Sequence, residues 1–246
     1  MMLKVVLTGH SQGLGAALAE ALLARGVPVL ALSRSRNAAL AARHVGLAEV
    51  SLDLADSGAL ARWLAGGELA RFVEGAGSAW LINNAGTLTP QALAGAQGAA
   101  ALARAVALNV AAPLMLTDAF VGATAQLANR RVLHVGSGAG RQPYPGWSVY
   151  CAGKAALDMH ARALAAEGHA GLRVACVAPG VVDTAMQAQI RAASPEAFPP
   201  RERFVELKNS GALWTAGQAA ARLLAYLESG GFGQAPLADV RTLQEG

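Results

Sequence analysis

Short aliphatic and β-branched runs alternate with Ala/Leu-rich stretches along the whole chain, and nothing else in the sequence constrains the fold as tightly. The periodicity predicts strands at residues 3–8, 27–32, 49–52, 80–83, 131–135 and 173–178, with a short last one at 236–239. Helical patterns fill the gaps at 13–24, 57–64, 99–125, 148–167 and 216–228. Parallel neighbours cannot be joined by a tight turn and need a crossover, so the pattern leads to a parallel sheet with helices on both faces. The expected fold class is α/β: a Rossmann-type, doubly wound parallel sheet in three α/β/α layers. With 246 residues, 54% apolar and 15% charged, the chain can fill one such core, and disorder is excluded. No linker or repeat divides it, so it reads as a single domain over 1–246. One stretch is irregular. Residues 186–203 carry Pro195, Pro199 and Pro200, and a substrate lid is expected over about 186–210.

The net charge is +4, but basic residues are scattered among acidic ones and form no strip, which argues against a nucleic-acid partner. The longest charge-free segment, 75–103, is broken by polar residues, Pro and Gly, and is not expected to cross a bilayer. No Lys/Arg-flanked apolar segment opens the chain, so neither a secretory signal nor a membrane partner is expected. Cys151 and Cys176 lack metal spacing and make no disulfide framework, which fits a reducing, cytoplasmic setting. His10, His44, His134, His160 and His169 are dispersed, and no metal site is expected. Lys4, Lys154 and Lys208 are the only lysines, which makes the place of each informative.

The first strand runs through Thr8-Gly9-His10-Ser11-Gln12-Gly13-Leu14-Gly15 straight into a helix. Glycines in such a turn allow a tight bend, close approach of backbone to a pyrophosphate and packing of helix on strand. The helix N-terminus adds free N–H groups and positive dipole. Dinucleotide binding follows from that strand–turn–helix context.

Three residues separate the first two glycines, which resembles the T-G-x-x-x-G-x-G signature of the short-chain dehydrogenase/reductase family. Further motifs follow in the family's order. Asn83-Asn84-Ala85-Gly86 ends the fourth strand, Asn109 lies in a helix, and Ser137 follows the fifth strand. Tyr150 and Lys154 form Y-x-x-x-K, and Pro179-Gly180 follows the sixth strand. The resemblance covers essentially the whole chain. It implies an oxidoreductase acting on CH–OH/C=O groups, and a homo-oligomer, dimer or tetramer, is expected. It also implies a nicotinamide cofactor held by Gly9, Ser11, Gln12, Gly13, Leu14 and Gly15, by Ser33, Arg34, Asp53 and Leu54, and by Asn84, Ala85 and Gly86. Tyr150, Lys154, Pro179, Gly180, Val182 and Thr184 complete that site, with Asp53 on the adenine.

Charge selects between the two cofactors. An NAD site wants an acidic residue about twenty residues past the turn, and an NADP site wants a cation there. No Asp or Glu lies between Glu20 and Glu49, whereas the second strand ends in Ser33-Arg34-Ser35-Arg36. The expected cofactor is NADP(H), with Arg34 on the 2′-phosphate.

Tyr150 and Lys154 are four apart on a predicted helix and share a face. A free phenol has a pKa of about 10, so acid–base work at neutral pH calls for a cation beside it. Ser137 is expected to hold the substrate oxygen. The resemblance implies that Asn109 positions a water relaying protons from Lys154.

Residues 142–154 and 179–187 resemble the sepiapterin reductase branch, which reduces side-chain carbonyls of pterins with NADPH. They are also similar to benzil-type reductases of vicinal diketones. The expected substrate is a small-molecule carbonyl compound: a pterin side-chain carbonyl by the first resemblance, with a vicinal diketone such as benzil as the alternative and a non-catalytic NADP-sensing protein of the same fold as the third reading. Tyr144, Trp147 and Met186 suit a flat aromatic substrate in either case. Asp239 sits where the branch grips the pterin edge, although Arg241 is close enough in sequence to neutralise it.

Overall fold

The computed structural model describes residues 2–243. One parallel sheet is formed by β1 (Leu3–Thr8), β2 (Val29–Ser33), β3 (Leu47–Ser51), β4 (Ser78–Asn83), β5 (Arg130–Val135), β6 (Leu172–Ala178) and β7 (Leu237–Asp239). Their order is β3-β2-β1-β4-β5-β6-β7. The direction of winding reverses between β1 and β4, where Leu3 pairs with Ser78 and Leu7 with Ile82. A crevice opens at the carboxyl ends of strands at such a reversal.

The helices are α1 (Gly13–Leu23), α2 (Ala38–Arg43), α3 (Ser57–Ala65), α4 (Glu68–Val73), α5 (Ala99–Val106), α6 (Ala112–Ala123), α7 (Ser148–Ala166), α8 (Ala185–Ala192), α9 (Arg201–Asn209) and α10 (Ala216–Glu228). Strand side chains alternate between faces. Val5 and Leu7 of β1 pack under α1 and α10 with Leu18, Leu22 and Leu223. Val6 packs on the other face with Leu60, Val73, Phe120 and Leu157 of α3, α4, α6 and α7. A third cluster, built on Trp147, Tyr150, Ile190, Phe198 and Phe204, lies outside these two layers.

Two expectations need correction. Residues 186–203 are not irregular throughout, because α8 and the start of α9 fall within them. Pro195, Pro199 and Pro200 stand between the two helices, with Pro200 at the N-cap of α9, so they punctuate helices rather than prevent them. The helix expected over 99–125 ends at Ala123 and contains a π-type turn at Ala107–Ala111. The ordinary donor to the Asn109 carbonyl is the N–H four residues on, and that residue is Pro113, which has none.

The rod Ala99–Ala123 is long and apolar enough to span a bilayer by length and composition, with 28% of its apolar window buried. In this fold it is a layer of the domain. Leu116 and Phe120 are fully buried against the sheet, and Arg104 pairs with Asp53 at 2.6 Å.

Buried polar groups inside this layer form a chain, with only its Asn83 side-chain oxygen left unpartnered among the described residues. Asn83 Nδ2 donates to Thr117 Oγ1 (3.3 Å) and to His134 Nδ1 (3.2 Å), so His134 carries its proton on Nε2, 3.1 Å from His160 Nδ1. Burial, aided by the charges of His160 and Lys154, pushes the His134 pKa down to about 3 from an ordinary 6.5. Between those values the unfolded chain binds a proton that the native state refuses. Native stability therefore falls as pH drops through that window, by up to about 1.4 kcal/mol per pH unit. Urea titrations of wild type and His134→Gln test this. The stability difference between them should grow with rising pH across the window, and a constant difference would contradict a buried neutral His134.

Candidate active site

The turn after β1 is tied to the turn after β4. Thr8 Oγ1 accepts from the N–H groups of Asn84 and Ala85, both at 3.0 Å. Asn84 Nδ2 returns bonds to the Thr8 and Gly9 carbonyls at 3.0 and 3.1 Å. Gly9 and Gly13 adopt φ of +75° and +58°, and a Cβ on Gly15 would lie 2.0 Å from the Gly9 carbonyl oxygen. Backbone conformation demands the first two glycines, and packing of helix on turn demands the third. The helix α1 begins there without a side-chain cap, so its free N–H groups and positive dipole end stand at a cleft lined by the turn. This cradle fits a pyrophosphate.

The cleft holds about 870 Å³ and runs from Arg34 and Arg36, past Asn84, Ala85 and Gly86, to Ser137, Met186 and Asp239. At its first end the loop after β2 is fixed by its backbone. Ser33 Oγ donates to the Ser35 carbonyl at 2.5 Å, and Ser51 Oγ donates to that of Arg34 at 3.0 Å. Asp53 pairs with Arg104 and accepts from Ala55 N at 3.0 Å. Burial alone would raise its pKa, but these bonds and the charges of Arg104 and Arg34 hold the carboxyl below the usual range.

On α7, Tyr150 and Lys154 share a buried face, with Lys154 Nζ 5.7 Å from the phenol ring centroid. Lys154 Nζ donates to the Val135 carbonyl at 2.6 Å, which anchors the ammonium between helix and sheet. Ser137 Oγ caps the short turn Gly138–Gly140 by accepting from Ala139 N at 3.1 Å. Its own hydroxyl hydrogen is left to donate. A Cβ on Gly140 would meet the Lys154 backbone at 2.9 Å, so this turn lies directly on α7.

The far end is aromatic. Trp147 stacks on Phe198 with centroids 4.3 Å apart and contacts Tyr144, Tyr150 and Phe204 at 5.3, 5.5 and 5.4 Å. Asp239 Oδ1 accepts from Arg241 N and Nε, both at 2.9 Å, and Oδ2 from Nη2 at 2.5 Å. Burial opposes ionisation of Asp239, but the Arg241 bonds outweigh it and hold its pKa low. Arg141 braces this end. Its Nε donates to Asp158 Oδ2 on α7 at 2.9 Å, and its Nη2 reaches the Ala238 and Cys176 carbonyls at 3.4 Å.

Every candidate catalytic, cofactor or substrate residue named from the sequence lines this cleft except Asn109. Gly9, Ser11, Gln12, Gly13, Leu14, Gly15, Ser33, Arg34, Asp53, Leu54, Asn84, Ala85, Gly86, Pro179, Gly180, Val182 and Thr184 border its cofactor half. Ser137, Tyr144, Trp147, Tyr150, Lys154, Met186 and Asp239 border the rest. The Asn109 amide is occupied elsewhere, donating to the Thr87 carbonyl at 2.8 Å and accepting from Thr87 N at 2.9 Å. Arg141, Gln187, Arg203 and Phe204 also line the cleft; none was named as a site residue, although the last three fall within the lid expected over about 186–210. For Phe204 the available signal was the apolar i, i+3 pair it makes with Leu207.

The short chain dehydrogenase family matches residues 4–195. Benzil reductase ((S)-benzoin forming) of Bacillus cereus is 36% identical over 242 residues, covering 94% of this chain and 96% of that protein. Sepiapterin reductase of Meriones unguiculatus is 36% identical over 244 residues, covering 92% of each. A short-chain dehydrogenase/reductase from Burkholderia vietnamiensis, known as a crystal structure, is 47% identical with a TM-score of 0.72 over 98% of both chains. With a family match across most of its length and the motif residues gathered at one cleft, the chain belongs to the short-chain dehydrogenase/reductase family of oxidoreductases.

Proposed function

We propose that this chain is an NADPH-dependent carbonyl reductase whose preferred substrate is an aromatic vicinal diketone such as benzil. The observation that carries the reductase reading is the meeting of Ser137, Tyr150 and Lys154 between the glycine cradle and the aromatic wall. When bound, NADPH supplies a hydride to the ketone carbon. Tyr150 gives its phenolic proton to the ketone oxygen, and the Lys154 ammonium stabilises the phenolate left behind. The Ser137 hydroxyl donates to the same oxygen as charge develops on it. Both ends of the Asn109 side chain are taken by Thr87, so the relay water falls to its backbone carbonyl, which Pro113 deprives of the usual donor. Arg34 supplies the cation for the 2′-phosphate, and its guanidinium makes no ion pair among the described residues.

The Asp239–Arg241 pair favours the diketone. A carboxylate that grips a pterin edge must accept N–H groups, and the two Asp239 oxygens between them already take three from Arg241, which reduces the capacity left for a pterin. Tyr144, Trp147 and Phe204 border the cleft, and the half-buried Tyr144 ring offers flat contact to a diaryl substrate. A pterin side-chain carbonyl is the second reading, supported by the sepiapterin reductase relatives and by the place of Asp239 on the cleft wall. We further propose self-association through α5 and α7, where Val106 and Met159 are 48% and 59% exposed.

Tyr150→Phe should lower kcat/KM by about 10²–10⁴-fold with NADPH binding nearly intact, and an active variant would refute the acid assignment. Arg34→Ala should weaken NADPH by about ten- to a hundredfold and NADH little, since a charge-assisted contact contributes about 1.5–3 kcal/mol. Equal losses would place the 2′-phosphate elsewhere. Steady-state assays with benzil and sepiapterin on wild type and Asp239→Asn separate the two substrates. The diketone reading expects an unchanged KM for benzil, whereas a selective rise for sepiapterin would support the pterin.

A further inference from the structure

Behind the phosphate end of the cleft lies a cluster that the mechanism does not use. Glu49 of β3 directs one carboxylate oxygen at two other chain segments. Oε1 accepts from His10 Nε2, in the glycine turn, at 2.7 Å, and from Asn37 N, in the loop after β2, at 2.6 Å. Asn37 joins the same two segments again, with Nδ2 donating to the Ser11 carbonyl at 3.4 Å and Oδ1 capping α2 at Leu40 N. The His10 and Glu49 side chains are only 1% and 9% exposed. Neither they nor Asn37 line the cleft, although Gly9, Ser11, Arg34, Ser35 and Arg36 beside them do.

The arrangement has a geometric consequence. The pyrophosphate cradle belongs to the turn after β1, and the cation for the 2′-phosphate belongs to the loop after β2. These are separate segments, and a dinucleotide engages both only if their spacing is fixed. The cleft-facing bonds inside each segment do not set that spacing. Glu49 ties the two together from the third strand, alongside the Asn37–Ser11 bond and the 2.8 Å bond from Gly9 N to the Leu32 carbonyl at the start of the turn. Burial would raise its carboxyl pKa, but the Asn37 N–H, His10 and the charge of Arg36 hold it low, so it is an ionised acceptor for both segments. The neighbouring salt bridge of Arg104 with Asp53 lies on the adenine side and holds neither.

We infer that Glu49 and His10 are positioning residues that set cofactor specificity, registering Arg34 against the glycine turn so that the 2′-phosphate is gripped. This rests on the NADPH reading above. A contact that acts by placing Arg34 alters binding of the phosphorylated cofactor alone, whereas one that merely supports the fold alters both.

Fluorescence titrations of NADPH and NADH on the full chain test the inference, using wild type, His10→Ala, Glu49→Ala and Glu49→Gln. His10→Ala and Glu49→Ala should each raise the NADPH Kd by about tenfold, the lower range for a charge-assisted bond, and the NADH Kd by less than about twofold. Glu49→Gln keeps an acceptor oxygen and should retain most of the NADPH preference. In an Arg34→Ala background His10→Ala should have no further selective effect, because the residue it positions is gone. His10→Ala trims a turn side chain and leaves the sheet untouched, so it decides the matter if Glu49→Ala does not fold. An unchanged preference in His10→Ala, or parallel losses for both cofactors, would overturn the inference while leaving the NADPH reading in place. A wild type with no NADPH preference would overturn that reading and the inference with it.

Discussion

Four hydrogen bonds between the end of β1 and the end of β4 set the rest of the site. Thr8 and Asn84 exchange them across the point where the sheet reverses its winding. Neighbouring strand ends diverge there because their crossover helices lie on opposite faces, so the two turns would otherwise share no backbone pairing. Locking them together fixes the glycine cradle on one side and the floor of the reaction centre on the other. The third glycine belongs to the same lock, since the Asn84 amide is 2.5 Å from where a Gly15 Cβ would stand.

The long helix α7 carries the second half of the geometry. Tyr150, Lys154 and Asp158 recur every four residues and so fall along one face. Their surroundings divide the labour. Lys154 is anchored to Val135 on β5, and Asp158 is paired with Arg141, which reaches on to the Ala238 carbonyl of β7. Buried charges cost free energy unless paired or hydrogen-bonded, and both of these are. One helix face thereby relates the acid, its cation and the strand that borders the substrate. Cys176 lies behind this face. Burial, with Asp158 beside it, pushes its thiol pKa well up, so it acts as a packing residue.

Helices α8 and α9 close the aromatic end. Asp183, just after β6, bonds Lys208 of α9 at 2.5 Å and faces Arg191 of α8 at 3.7 Å. Arg201 Nε donates to the Arg191 carbonyl at 2.8 Å, and Gln189 Nε2 donates to Thr89 Oγ1 at 3.1 Å. These links are largely exposed and individually weak. Phe198 and Phe204 under Trp147 supply the apolar burial that seats the two helices.

Much of this was legible in the sequence, because local patterning and motif order determine it. Alternating segments specified the parallel sheet, the Thr8–Gly15 spacing specified the turn, and a four-residue interval put Tyr150 with Lys154. Only the tertiary structure decided what depends on partners distant in the chain. Asn109 has the right position for a relay, yet folding brings the Thr87 backbone to both ends of its amide. His10 and Glu49 are 39 residues apart and become neighbours only because β3 runs beside β2. Residues Pro195, Pro199 and Pro200 mark breaks, but whether helices form between breaks depends on an apolar surface to pack against, which Trp147 provides. Asp239 was visible as a carboxylate and Arg241 as its neighbour. That Arg241 engages both oxygens is a matter of side-chain direction in a strand end held by Arg141, and direction is set by packing rather than by sequence.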